Sequence, residues 1–504
     1  MINSSNHHCS IFTKKLVILL ALFFVYFIFY TIQSQSASTV NQKAAPKLNP
    51  AEHKQSNTKK VIQGGIYQQT YRDSKYEDLL SKDSVLVLDL QTVLQMIIDK
   101  NLSIDIEEYN VRMARDKLLG STAAFLPSVS LVQDISRRVG SIQLFGNETI
   151  GVRQTSFQPR VEASFNLFQG GNVLFGWIAD KNSLASSKTN LTSIEQEQIT
   201  AAGTSYFLIQ RYQAELEGEF KRLDAAELNL KEREIALELG DDIKLSVLLA
   251  KQEVEEAKAR VATLKGSFYS ESARLNELLN LPANNLIMPV GKPEEQNIFN
   301  LDFPPSLRKL LSQASMTNPS INSQKYNVKS ERAKQIQSVS AFLPVVSVQT
   351  STGYIGPQYN DLVNNDTYSL TVQYDALQNL GGTAVANYLS AKHSKDRSVK
   401  ELSRVVKQIE QQITQSYTEV ISGKENYEAN KSALDAAREA FRQAKARLEA
   451  EVGTPYEMKL AQSDLADARA NFYESLVNFK VAQLDLLKDL GIVNIKNIVE
   501  GVTL

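Results

Sequence analysis

Two hydrophobic periods organise the chain, one of two residues and one of seven. From Arg153 to Phe168, the residues Phe157, Val161, Ala163, Phe165 and Leu167 fall on odd positions, while Gln154, Ser156, Gln158, Arg160, Glu162, Ser164 and Asn166 fall on even ones. Side chains of a strand alternate between its faces, so this stretch predicts a strand with one apolar and one polar face. Val129, Leu131, Ile135 and Val139 alternate likewise with Ser128, Ser130, Asp134, Ser136 and Arg138. Further along, Val346, Val348 and Tyr354 oppose Ser347, Gln349, Ser351 and Gly353, and Tyr368, Leu370, Val372 and Tyr374 oppose Thr367, Ser369, Thr371 and Gln373. Two strand pairs are expected, at about 127–168 and about 344–376. A half-buried soluble hairpin and a membrane barrel with a wet lumen both fit such strands.

The seven-residue period follows each strand pair. Ala202, Ile209, Leu216, Leu223, Leu230 and Leu237 repeat 211 residues later as Ile413, Val420, Tyr427, Leu434, Phe441 and Leu448. Second stripes run through Val247, Val254, Val261, Phe268 and Leu275, and through Met458, Leu465, Phe472, Phe479 and Leu486. Sustained heptads predict coiled-coil hairpins over 172–281 and 383–490. The first helix, Asn172–Leu239, would have 68 residues and a length of roughly 100 Å at 1.5 Å per residue. Gly240-Asp241-Asp242 and Gly453-Thr454-Pro455 break the two hairpins, glycine for a left-handed helix end and Asp242 or Pro455 to start the next helix.

The chain repeats itself. At an offset of 217, Asn101-Leu-Ser-Ile recurs as Asn318-Pro-Ser-Ile and Ala124-Phe-Leu-Pro as Ala341-Phe-Leu-Pro, while Gly170-Gly171 answers to Gly381-Gly382. These matches imply two tandem copies, 85–300 and 301–492, followed by a tail at 493–504. Val85 to Ala124 reads as helix with a break near Asn101, and copy two repeats this ahead of Pro344.

At the N-terminus, Lys14-Lys15 precede 17 uncharged residues, Leu16 to Ile32. This reads as a signal peptide over 1–37, with an uncleaved anchor as the alternative. Residues 38–84 form a polar extension without apolar period. The net charge of −1 offers no general attraction to nucleic acid. Cleavage would remove Cys9, the only cysteine, and leave His53 and His393 as the only histidines. No His-Glu-x-x-His, phosphate loop or nucleophile motif is present, so no enzyme activity, metal or cofactor is expected. Asp241 and Asp242 beside Glu238 read as helix-start caps or adaptor contacts sooner than as an acid pair. Phe168, Phe175 and Trp177, near a strand end, read as membrane-interface aromatics sooner than as a binding box.

Ala-Phe-Leu-Pro at the head of each strand pair, Leu167-Phe-Gln-Gly-Gly, Glu451-Val-Gly-Thr and Leu465-Ala-Asp-Ala-Arg-Ala carry a resemblance to the TolC-like outer membrane efflux protein family over about 85–492. The resemblance implies a mainly α protein with a transmembrane β-barrel: a homotrimer whose 12 strands close one barrel, continued by a helical tube across the periplasm. It implies a passive conduit for efflux or type I secretion, set in outer membrane lipid and docking through Gly240, Asp241, Asp242, Gly453, Thr454 and Pro455 to a periplasmic adaptor and an inner-membrane RND or ABC transporter. The rival reading is a periplasmic coiled-coil adaptor or scaffold held by the N-terminal apolar segment. The chain departs from the family at an inserted Asn379-Leu380, and at Pro455 where relatives carry arginine. Where relatives place entrance aspartates it has Lys459 and Gln462, with Ser246 and Leu249 as the copy-one equivalents counted from Gly240. A differently gated entrance is expected, with lysines in place of carboxylates.

Overall fold

The computed structural model describes residues 85–143, 149–291, 306–374 and 380–499, leaving aside the side chains of 141–143 and 149–152. The expected signal peptide, the polar extension and Asn379 lie outside the described residues. In chain order the elements are β1 (Val85–Leu88), α1 (Leu90–Lys100), α2 (Leu102–Ala123), β2 (Ser128–Gln143), β3 (Thr149–Gln169), α3 (Asn172–Leu239), α4 (Lys244–Leu278) and β4 (Leu286–Pro289). There follow α5 (Leu307–Thr317), α6 (Pro319–Ser338), β5 (Val345–Ile355), β6 (Val363–Gln373), α7 (Gly382–Glu449), α8 (Pro455–Leu490) and α9 (Ile495–Val499). The four long strands form one antiparallel sheet in the order β2-β3-β5-β6.

The heptad residues become the seams of the hairpins. In α3 and α4, Ile209, Leu216, Leu223, Val254, Val261, Phe268 and Leu275 are buried, and in α7 and α8 so are Ile413, Val420, Leu434, Phe472 and Leu486. Each such side chain taken out of water contributes about 1.5–3 kcal/mol. Ala250, Ala257 and Ala482 lie in the same seams and are buried too, where a small side chain lets helix axes approach. α3 also packs on α8, so the hairpins lie side by side. Nearer the sheet, α6 packs between α3 and α7 through serines: Ser186 and Ser323 bring their Oγ atoms to 2.9 Å, Ser193 and Ser320 do the same, and Ser330 Oγ donates to the Ala179 carbonyl at 2.9 Å. The seams fade toward the helix ends distant from the sheet, where Leu237, Leu245, Leu248 and Leu460 are exposed.

Asn101 and Asn318 do the same job at two helix starts. Asn101 caps α2, its Oδ1 accepting from the Ser103 and Ile104 amides, while its Nδ2 donates to the Leu278 carbonyl at 2.8 Å. Asn318 caps α6 by accepting from the Ile321 amide, and its Nδ2 donates to the Asp489 carbonyl at 2.9 Å. Each amide thus satisfies a helix start and ties it to the far end of a hairpin.

Four expectations need correction. Val85–Leu88 is a strand and not the start of a helix, because it pairs in parallel with Leu286–Pro289, and Tyr206 Oη donates across both strand ends to the Leu88 and Val290 carbonyls. The left-handed pair answering Gly170-Gly171 is Leu380-Gly381, one residue earlier than Gly381-Gly382, and α7 already begins at Gly382. At the second break the left-handed residue is Glu451, φ +56°, and not Gly453; by helix starts, Glu451 is the counterpart of Gly240, φ +84°. The N-cap of α4 is Ile243, one residue after Asp242, because Asp242 spends its carboxylate on the turn itself.

Candidate functional site

The register of the sheet tests the two-faced reading strand by strand, since directly opposed residues share a face. Val129 faces Ala163, Leu131 faces Val161 and Ile135 faces Phe157; Phe165 faces Val348, which faces Leu370; Val346 faces Val372. These apolar residues therefore fall on one side, which also carries Gln133 and Asp366, while Val132, Val345, Ile355 and Val363 lie on the other. The apolar side is bare: Leu131 is 85 % exposed, Tyr368 73 %, and Leu370 and Val372 65 % each. An apolar surface continuous over four strands exceeds what a water-facing sheet presents and needs a cover. No helix among the described residues is long and apolar enough to cross a membrane.

The other face is mostly polar through its middle, Val132 opposite Arg160 being an apolar exception. Glu162 faces Ser130 and Ser351, Ser164 faces Gln349, and Ser347 faces Thr371. Arg160 lies between two carboxylates, Nη1 2.5 Å from Asp134 Oδ2 and Nε 2.5 Å from Glu162 Oε1. Charges concentrated there can exist only on a wet side. β2 and β6 are the sheet edges, each with one row of backbone donors and acceptors unpaired within the chain.

At the opposite end of the long helices are the two turns. In the first, Gly240 closes α3, and Asp242 accepts from the Ile243 amide at 2.7 Å and from Arg233 at 3.2 Å. The Ser246 hydroxyl, then the Ile243 amide and Arg233, hold the Asp242 carboxyl below its ordinary range. In the second, the Val452 and Gly453 amides both donate to the Arg447 carbonyl, Thr454 Oγ1 caps α8 by accepting from the Glu457 amide at 3.2 Å, and Pro455 is the first helical residue. Gly453 is needed for closeness: a Cβ there would lie 3.0 Å from Arg447 Cβ and 3.1 Å from its carbonyl carbon.

A family model for outer membrane efflux proteins matches residues 93–281 and again 310–491. The chain belongs to the outer membrane efflux protein family. Its place is the outer membrane, its class that of transport channels and not of enzymes. In fold it is similar to the crystal structure of the Campylobacter jejuni CmeC outer membrane channel, with 16 % identity, a TM-score of 0.71 and coverage of 80 % of this chain and 85 % of that one. A membrane protein from Pseudomonas aeruginosa gives 18 %, 0.70, 80 % and 93 %, and the open state of the Neisseria gonorrhoeae MtrE outer membrane channel 19 %, 0.67, 80 % and 89 %. No curated protein sequence matches the chain.

In this efflux protein the expected entrance residues do not all come together. Lys459 Nζ lies 2.5 Å from Glu253 Oε2 on α4, so it is half of an ion pair and not a bare charge. Glu457, two residues before Lys459, is 3.7 Å from Arg447. Gln462 is half-buried one turn further along α8, Ser246 belongs to the first turn, and Leu249 is exposed. Counted between helix starts, the copy-one counterparts of Lys459 and Gln462 are Leu248 and Lys251, two residues beyond Ser246 and Leu249. The shift comes from matching Gly240 with Gly453, when its counterpart is Glu451. Of the aromatics, Phe168 lies at the β3 end opposite Val346, whereas Trp177 donates Nε1 to Thr122 Oγ1 at 3.1 Å on α2, under Lys181, and Phe175 packs over Gly171. They form no single box. No period or offset in the sequence singles out Glu253 or Arg233.

Proposed function

We propose that three copies of the chain pool their sheets into one 12-stranded barrel, apolar face to lipid and polar face to water, and that the long hairpins continue it as a tube across the periplasm. The protein would be the passive outer membrane conduit of a tripartite efflux or type I secretion system. The observation that carries this reading is the register of β2-β3-β5-β6, which gathers Leu131, Ile135, Phe157, Val161, Phe165, Val348, Leu370 and Val372 on one face and the Arg160 ion pairs on the other. Four strands are too few to close, and an open edge is not tolerated in lipid, so the β2 and β6 edges call for neighbouring copies.

Gly240, Asp241, Asp242, Gly453, Thr454 and Pro455 would meet a periplasmic adaptor, since these turns are the irregular backbone at the end distant from the sheet, and the adaptor would join the conduit to an inner-membrane RND or ABC transporter. Lys459, Gln462 and the neighbouring first turn would surround the entrance, and Phe168, Phe175 and Trp177 would mark the membrane interface on the periplasmic side. Detergent-purified full-length protein should crosslink to a trimer and insert into planar bilayers as discrete ohmic channels. A monomer that adds no conductance would refute the conduit.

A further inference from the structure

The membrane-facing side of the sheet changes chemistry where one strand pair outruns the other. β5 ends at Ile355 and β6 begins at Val363, but β2 and β3 continue past them to Gln143 and from Thr149. On that overhang Arg137 faces Thr155 and Val139 faces Arg153, on the side that carries Leu131, Ile135, Val161 and Phe157. Arg137 and Arg153 are therefore diagonal neighbours, about 7–8 Å apart at the backbone and within reach of one small anion. Both are exposed. Neither pairs with a carboxylate among the described residues, in contrast to Arg160 on the wet face, which has two.

Their depth is set by the band beside them. On β3 the apolar residues run from Phe168 to Phe157, roughly 36 Å of strand and about 28 Å of membrane thickness at a tilt near 40°. Thr155, level with Arg137, and then Arg153 follow at roughly 5 and 10 Å above the last apolar row. A headgroup layer occupies about that depth beyond the hydrocarbon. A guanidinium fork matches a phosphate and tolerates partial dehydration, which suits this level better than open water.

We propose that Arg137 and Arg153 together bind the phosphate of anionic lipid headgroups in the leaflet farthest from the helices. The inference rests on the barrel reading of the sheet. A headgroup is favoured over free phosphate because the pair continues the lipid-facing band and points away from the lumen side.

The test uses full-length protein in nanodiscs of phosphatidylcholine mixed with phosphatidylglycerol, with the lipids retained on the released protein counted by native mass spectrometry. Phosphatidylglycerol should be enriched on the natural protein, and Arg137→Gln with Arg153→Gln should cut that enrichment by about an order of magnitude. Arg138→Gln, which removes the same charge from the wet face, should leave it unchanged, and lysine at both positions, which keeps the charge and loses the fork, should restore only part of it. Equal loss in Arg138→Gln, no loss in the double variant, or full displacement by inorganic phosphate would each overturn the proposal. Protein that enters nanodiscs without lipid preference overturns this inference alone, whereas failure to enter any bilayer overturns the barrel reading as well.

Discussion

Lys459 of α8 and Glu253 of α4 meet at 2.5 Å across the two hairpins, where apolar packing has run out. Leu248, Leu249, Val452, Tyr456 and Leu460 nearby are all exposed. A half-exposed pair of this kind contributes about 0–1 kcal/mol, which is small against a core but decisive for a tip with little else to hold it. Lys459→Glu should therefore loosen the tips and raise single-channel conductance in planar bilayers. The double reversal Lys459→Glu with Glu253→Lys should return conductance toward the natural value, and high salt should shrink the difference. A double reversal no closer to the natural protein than the single variant would separate the pair from the state of the tip.

The two turns should respond oppositely to glycine. Gly240 has open space around it but a left-handed backbone, so Gly240→Ala should destabilise the first turn by about 1 kcal/mol. Glu451 adopts the same conformation with a side chain, so Glu451→Gly should relieve strain by up to about 1 kcal/mol. Hydrogen exchange of the tip amides reads both, expected faster in the first variant and slower in the second. Gly453→Val should disturb the second turn through contact with Arg447 and Leu448, despite its ordinary φ.

Replacing either capping asparagine should cost more than an ordinary cap. Asn101→Ala removes the acceptor for two amides and leaves the partly buried Leu278 carbonyl unpaired by that side chain, and Asn318→Ala removes the acceptor for the Ile321 amide and the donor to the buried Asp489 carbonyl. About 2 kcal/mol is expected from each, read as a lowered melting temperature in detergent. Asn→Asp should fall between, since it keeps the cap and loses the donor.

Arg211 ties the hairpins through Glu215 at 2.6 Å on its own helix and Glu474 at 3.4 Å on α8. Burial holds the Glu215 carboxyl above its ordinary range even though Arg211 lowers it, so the folded protein binds a proton that the unfolded chain releases. The sign follows: this group favours folding at low pH and loses that contribution as pH rises through its folded pKa. Arg211→Ala removes the lowering partner and should destabilise by about 3 kcal/mol near neutrality. The deficit in melting temperature should be smaller at about pH 5 than at about pH 8, and Glu215→Gln added to Arg211→Ala should flatten that dependence.

Much of this architecture is legible in the sequence because it is periodic. The bounds Asn172–Leu239 follow from a heptad stripe ended by glycine on both sides, and the faces of the sheet from a period of two that the cross-strand register repeats. What escapes is aperiodic. β1 and β4 are four residues each and stabilise each other only across 200 residues of chain, so neither leaves a local signal. Glu451 hides a left-handed position because the eye goes to Gly453, and that slip of two residues carries Ser246 and Leu249 into the wrong register. The pairing of Lys459 with Glu253 depends on how two hairpins lie together, which no motif encodes.

The central claim is that the sheet has one face in lipid and one in water. With Cys9 replaced by serine, single cysteines at Val161, Glu162, Leu370 and Thr371 in liposome-reconstituted protein can carry a polarity-sensitive fluorophore. The account predicts blue-shifted emission quenched by a lipid-soluble quencher at Val161 and Leu370, and red-shifted emission quenched by aqueous iodide at Glu162 and Thr371. Equal emission and equal quenching at adjacent positions would contradict it.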